Sequence, residues 1–168
     1  MEYTVNWKSP IGTLTIASDG ANITGLWMEG QKYFCAGLSQ ETEDGSAQQV
    51  IQDTVQTLEN YFRKKTKAFS HLPLNPQGTD FQRAVWTLLR EIPYGETRTY
   101  GQLAAALEAA TGRKTSPRAV GAAVGHNPIS IIIPCHRVVG AGGTLTGYAG
   151  GVSRKEYLLQ LEKYTEPL

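Results

Sequence analysis

Cysteine is nearly absent from this 168-residue chain, which holds two, Cys35 and Cys135. Two thiols make no disulfide framework, and a reducing compartment is the natural setting. Histidine is scarce at three residues, with His71 and His126 isolated, so no metal site is expected. No apolar run approaches the roughly 20 residues of a membrane span. The longest, Ile129 to Cys135, is interrupted by Ser130 and Pro134. The opening MEYTVNWKSP lacks the basic and apolar regions of a secretory signal, which gives the expectation of a cytoplasmic protein with no membrane partner. Repeats and low-complexity stretches are also missing. Net charge is only +1, which taken whole argues against a nucleic-acid partner.

What is present is an ordinary globular composition, 40% hydrophobic and 18% charged. The length allows one domain or two small ones, and a chain of this size buries roughly two-thirds of its unfolded surface without needing a staple. The charge is split along the chain. Residues 1–77 carry six Lys+Arg against eight acids, and residues 78–168 carry ten against seven. That sign favours the C-terminal half as the part that meets a polyanion, although two ordinary solvated surfaces can differ as much.

The first third reads as strands. Gly12–Ser18 alternates with period two, Ile23–Met28 follows the turn Asp19-Gly20-Ala21-Asn22, and Tyr3–Trp7 is a third strand ended by Ser9-Pro10. A helix near 47–65 places Ile51, Val55, Leu58 and Phe62 on one face. Ser70–Gln77, with two prolines, reads as a linker. Short capped helices follow. Thr79-Asp-Phe-Gln82 and Thr99-Tyr-Gly-Gln102 are capping boxes, Ser116-Pro117 is an N-cap with proline at the first helical position, and Ser153-Arg-Lys-Glu156 is a third box. These predict a helix with Phe81, Val85, Leu88, Leu89 and Ile92 inward, and a last helix with Tyr157, Leu158 and Leu161 inward. Ile129–Ile133 reads as a short strand.

The helices near 100–109 and 116–125 form a helix-turn-helix candidate. In the second, Val120 and Val124 face inward, leaving Arg118, Gly121, Ala122 and Gly125 near the opposite side. Small residues there permit close approach to another surface, either DNA or a neighbouring helix. The sharper feature is Ile131-Ile-Ile-Pro-Cys-His-Arg-Val-Val139. Pro134 ends the strand, so Cys135 is expected at a strand exit. A free thiol is only a few per cent thiolate at neutral pH, and His136 is placed to polarise it directly or through a water. Arg137 adds positive charge, and Glu162 on the last helix is the candidate acid to orient the imidazole. The competing reading is an inert, buried cysteine. Cys35 has no such neighbours and reads as packing.

Ile133-Pro-Cys-His-Arg-Val138 resembles the active-site signature of the O6-alkylguanine-DNA alkyltransferases. The likeness runs across residues 78–163: Gly78-Thr-Asp-Phe-Gln82, Ile92-Pro-Tyr-Gly-Glu-Thr97, Thr99-Tyr-Gly-Gln-Leu-Ala104, Pro117-Arg-Ala-Val-Gly-Ala122, Asn127-Pro128 and Gly147-Tyr-Ala-Gly-Gly151. Residues 1–75 match only loosely, as a small ribonuclease-H-like unit.

The resemblance implies an α/β (α+β) protein with an N-terminal ribonuclease-H-like β/α domain, 1–76, and a mainly helical C-terminal domain, 77–168, carrying the helix-turn-helix. It implies a single-turnover DNA-repair transferase that moves an alkyl group from O6-alkylguanine, with O4-alkylthymine a second candidate base, irreversibly to Cys135. His136 and Glu162, with an intervening water, would generate the thiolate, and Asn127 would buttress the turn. Tyr100 would assist base rotation and protonate guanine N3. Arg118 would replace the rotated nucleotide, with Ala119, Gly121 and Ala122 in the minor groove. Tyr148, Ala149 and Gly150 would line the base pocket. Ala149 stands where many members carry serine, which removes one possible hydrogen bond to O6. Residues 110–117 are longer than the family's compact turn. No cofactor is implied, and the partner is duplex DNA bound by a monomer, with cooperative assembly along DNA as an added possibility. Two rival functions are a lesion-binding module without transfer and a Cys–His–Glu thiol hydrolase.

Overall fold

The computed structural model describes residues 1–145 and 147–163. Three strands form an antiparallel meander, β1 (Tyr3–Ser9), β2 (Gly12–Ser18) and β3 (Ile23–Met28); β2 and β3 have the expected bounds, and β1 runs two residues past the expected Trp7, to Ser9. A two-residue β4 (Glu43–Asp44) adds parallel to β1, giving the order β3-β2-β1-β4. Leu14 pairs with Met28 and Ile16 with Leu26, so all four side chains share one face and are fully buried. They join Ile51 and Leu58 of α1 (Gln49–Phe62) in the core.

Helix α1 is shorter than expected and its buried face is rotated. Val50, Ile51, Thr54, Leu58 and Tyr61 point inward, while Val55 and Phe62 are half-buried. Phe62 packs on Trp7 of β1, ring centroids 6.1 Å apart, and Tyr61 takes the interior position. The segment expected to be a linker is more than that. Ile23 N donates to Pro73 O and Asn75 N to Ile23 O, both at 2.8 Å, so residues 73–75 lie beside β3.

The C-terminal part is helical: α2 (Asp80–Arg90), α3 (Tyr100–Thr111), α4 (Pro117–Gly125) and α5 (Val152–Lys163). Both threonine capping boxes form as expected, and Ser116 caps α4 ahead of Pro117. Gly112 ends α3 with φ 72°, a conformation that glycine adopts without a Cβ penalty. The following loop is tied back by Thr115 N donating to Glu108 Oε1 at 2.8 Å.

Three local expectations fail. Ser153 does not cap α5, because the helix already begins at Val152 and places Ser153 in its first turn. Phe81 and Tyr157 are 39% and 41% exposed instead of inward. Trp86 fills the space between α2 and α4, its Nε1 donating to Ala123 O at 2.8 Å. Finally, Ile129–Ile133 is not a strand. Only Ile129 bridges to Leu26, and the chain then turns through Ile131 at φ 70°. Pro134 therefore precedes a 3-10 turn, Cys135–Arg137, rather than ending a strand. That turn leads into β6 (Val138–Val139), which pairs in parallel with β5 (Arg98–Thr99).

Replacing Thr99 with alanine removes the cap that starts α3 beside Tyr100. Urea unfolding should show a loss of about 1 kcal/mol, with Thr99→Ser restoring most of it; an unchanged midpoint would mean the box carries no stability.

Candidate active site

The turn before Cys135 is built by one side chain. Asn127 Nδ2 donates to Ile133 O at 2.8 Å and, more weakly, to Ile129 O at 3.4 Å, while Asn127 Oδ1 accepts from Ile129 N at 3.0 Å. A β-branched residue at positive φ is strained, and these bonds at both ends of the loop hold Ile131 in that state. Its consequence is positional, because Cys135 emerges buried at a sharp bend.

Burial pushes the Cys135 thiol above its ordinary pKa. The Asn127 amide, the Tyr148 hydroxyl and the Lys155 ammonium oppose that rise. Tyr148 Oη is buried with no hydrogen bond of ordinary geometry among the described residues, and it acts on the sulfur as a nearby dipole. Burial, and then the charge of a Cys135 thiolate, keep both Tyr100 and Tyr148 protonated to higher pH than usual. Tyr100 is half-buried at the start of α3, its ring edge lying 3.6 Å from where a Cβ would stand on Gly121, and its hydroxyl faces Gly147.

Next to the cysteine, His136 is fully buried. Its Nε2 lies 2.6 Å from Glu162 Oε2. An ionised carboxylate only accepts hydrogen bonds, so Nε2 carries the proton and Nδ1 presents a lone pair. Nδ1 is buried without a hydrogen-bond partner among the described residues. Burial lowers the His136 pKa, and Glu162 offsets this only in part, so the ring is held neutral. Glu162 also accepts from Tyr61 Oη at 2.6 Å, from Arg137 Nε at 2.9 Å and Nη2 at 3.1 Å, and from Gly95 N at 3.3 Å. Burial alone would raise this carboxyl, but His136 and Arg137 outweigh it and hold the group well below the usual carboxylate range.

Several of these groups have roles that differ from the sequence reading. Arg137 is not a free cation beside the thiol; it is buried against Glu162 and donates to Ile92 O at 2.7 Å. Tyr61, which the helical spacing marks only as part of α1, reaches Glu162 from 101 residues away in sequence. Lys155, by sequence part of a capping box, has another place. It is fully buried, with its ammonium 5.9 Å from the Tyr148 ring centroid. The signal was available, since Lys155, Leu158 and Glu162 fall on one face of α5 at i, i+3 and i+7. Cys35, expected as packing, is half-buried in an exposed turn with φ 56°.

The other expected residues lie as follows. Arg118 and Ala122 are exposed on α4, with Ala119 and Gly121 half-buried beside them. Tyr148, Ala149 and Gly150 form a half-buried loop, and a Cβ on Gly150 would come 2.5 Å from Met28 Sδ, so only glycine fits. Among the described residues, no group of His, Cys, Asp and Glu is arranged to hold a metal, and no helix is long and apolar enough to cross a membrane.

Two family models match the chain. Residues 1–76 fit the 6-O-methylguanine DNA methyltransferase ribonuclease-like domain, and residues 80–164 fit the DNA-binding domain of the same family. The methylated-DNA–protein-cysteine methyltransferase of Haemophilus influenzae is 45% identical over 161 residues, covering 96% of this chain and 86% of its own length. The Mycobacterium tuberculosis protein of that name is 46% identical over 159 residues, covering 95% and 91%. Among solved structures, the Mycobacterium tuberculosis O6-methylguanine methyltransferase superposes with a TM-score of 0.85 at 44% identity, covering 99% of this chain and 96% of that one. The Mycobacterium tuberculosis OGT in complex with DNA gives 0.82 at 44% identity, covering 99% and 94%.

The buried pair makes stability depend on acidity. Glu162 titrates lower in the folded state, so its contribution is present above an unfolded value of about 4.3 and is lost as pH falls through the folded value. His136 is also lowered on folding, so below about 6.5 the unfolded chain gains a proton that the folded chain resists. The urea midpoint should fall steadily from pH 7 to pH 4. At pH 7, Glu162→Gln should cost about 3–5 kcal/mol, because Arg137 loses its countercharge in the interior. A midpoint that rises on acidification would contradict this.

Proposed function

The chain belongs to the 6-O-methylguanine DNA methyltransferase family, whose activity is direct repair of alkylated DNA, and from that premise we propose that Cys135 is its alkyl acceptor. The observation that carries the assignment is the buried arrangement around one cysteine: a neutral His136 whose Nδ1 has no hydrogen-bond partner among the described residues, oriented by Glu162, and Lys155, whose pKa burial lowers and a Cys135 thiolate raises. The substrate we infer is O6-alkylguanine in duplex DNA. The two family models, 1–76 and 80–164, support a division near residue 76 into a ribonuclease-like unit and a DNA-binding unit.

The reaction is a displacement at an sp3 carbon. The Cys135 proton passes to His136 Nδ1, directly or across a water, and the sulfur attacks the O6-alkyl carbon. The carbon–oxygen bond breaks and its electron pair stays with the purine, which takes a proton at N3 from the Tyr100 hydroxyl. Burial of Tyr100 suits this role, because it keeps the phenol protonated until the base arrives. Lys155 stabilises the developing thiolate through a water-poor interior, where charge interactions are strong. The product is a thioether, and no group in the site can displace its alkyl group. Each molecule therefore acts once.

Because Cys135 is buried, a base inside the helical stack cannot reach it, and the nucleotide must rotate out at a cost of a few kcal/mol. We assign minor-groove contact to the exposed Arg118–Ala122 face of α4, with Arg118 filling the gap left by the rotated base. The small side chains there offer few base-edge donors, so sequence preference should be weak.

With excess O6-methylguanine duplex, intact-mass and peptide spectrometry should find one added methyl group on Cys135 and repair that stops at one equivalent. Repeated turnover would indicate a hydrolase, and an unmodified cysteine would indicate a lesion-binding module. Arg118→Ala should lower the rate on duplex by about ten- to a hundredfold, a loss of roughly 1.4–2.8 kcal/mol in transition-state stabilisation, with a much smaller effect on a free O6-alkylguanine base. Equal losses on both substrates would remove Arg118 from the intercalating role.

A further inference from the structure

Between β3 and β4 the chain makes an exposed turn, residues 31–38, that none of the chemistry above uses. Its conformation is costly. Tyr33 and Cys35 both sit at positive φ, 59° and 56°, where non-glycine residues are strained. It also displays apolar surface, with Tyr33 and Phe34 45% and 46% exposed. Neither property is explained by packing within the chain.

The turn is fixed at two points, and each belongs to the site. Lys32 N donates to Ala149 O at 3.1 Å, joining it to the loop assigned to the base pocket. The Tyr33 ring stacks on His126, centroids 4.1 Å apart and planes 22° from parallel. His126 caps the C-terminal end of α4, and its Nδ1 lies 2.8 Å from Ala122 O. Arg118, Ala122 and His126 recur every four residues and are all exposed, so they form one stripe along α4. Tyr33, through its stack on His126, prolongs that stripe beyond the helix end, and the exposed Phe34 follows it in the chain. Lys32 stands exposed beside them, its ammonium 6.0 Å from the Tyr33 ring.

We infer that the Lys32–Phe34 turn is a second DNA contact, supplied by the N-terminal unit, which grips the backbone flanking the rotated nucleotide. The inference rests on α4 being the DNA-facing helix. Lys32 takes a phosphate, and the Phe34 ring packs against the adjoining sugar. The turn touches both Ala149 and the His126 end of α4, so a strand lying along α4 with its base in the pocket would pass beside it. The strained backbone keeps both side chains outward. The proposed occupant is duplex DNA, because the surface continues the α4 stripe and ends in a cation. An apolar partner protein would find no reason for the lysine.

The test compares the wild-type chain with the double variant Lys32→Ala, Phe34→Ala by anisotropy on unmodified duplex over a salt series. Alkylation of Cys135 is measured in parallel with O6-methylguanine duplex and with a free O6-alkylguanine base. Duplex affinity should fall about three- to tenfold, and the slope of log affinity against log salt should shrink by about one unit, the value for one lost phosphate contact. Duplex alkylation should slow at subsaturating protein while the free-base rate stays within about twofold. Unchanged affinity and slope would overturn the inference. So would equal slowing on both substrates, which would make the turn a support for Ala149. Phe34→Ser alone, which keeps the cation, should lower affinity without changing the slope; a changed slope would count against the division of labour. If the wild type takes no methyl group from duplex, the reading of the site itself fails, which is a separate result.

Discussion

The Glu162 carboxylate is the interaction on which the rest of the site depends. It sits on α5 and receives hydrogen bonds from Tyr61, His136, Arg137 and Gly95, groups drawn from α1, the 3-10 turn and the loop after α2. A carboxylate so deeply buried would ordinarily take up a proton. Here the donors around it hold it ionised, and the ionised form in turn dictates the His136 tautomer. In the proposed mechanism, Glu162 thus prepares the base for Cys135 by acting through His136. The same carboxylate compensates Arg137 and draws Tyr61 inward, so folding and chemistry draw on one set of bonds.

A second constraint is the turn held by Asn127. Left-handed backbone at Ile131 is unfavourable alone, yet it delivers Cys135 to a buried bend facing Tyr100, Tyr148 and Lys155. Strain is tolerated here because the Asn127 bonds and surrounding apolar packing over-determine the loop. In the proposed function, the burial of the thiol is also what calls for rotation of the target base out of its stack.

Much of the architecture was legible from local pattern. The period-two strands, the two threonine boxes and the Ser116-Pro117 start all carry short-range signals, and these elements form at or near their expected bounds. The motif Pro-Cys-His-Arg and the distant Glu162 named residues that the structure brings together in one buried cluster. What local pattern missed was decided by contacts remote in sequence. Ile129–Ile133 has strand composition, but Asn127 bends it into a turn. Phe81 and Phe62 have the spacing of core residues, but Trp86 and Tyr61 take the interior because their polar atoms find partners at Ala123 O and Glu162. Arg137 has the place of a cation beside the thiol and Lys155 that of a capping-box residue, since nothing nearby in sequence announces the Glu162 carboxylate that holds the one or the interior site that takes the other.

The central claim is that His136, held as a neutral base by Glu162, activates Cys135. It is tested most directly by rapid-quench alkylation of Cys135 with a free O6-alkylguanine base, followed from pH 5 to pH 10 in the wild type and in His136→Gln, both verified as folded. The wild-type rate should be high at neutral pH and the variant slower there by about 10²–10⁴-fold, with the gap closing as the thiol ionises at high pH. Equal rates and superimposable pH profiles would contradict it.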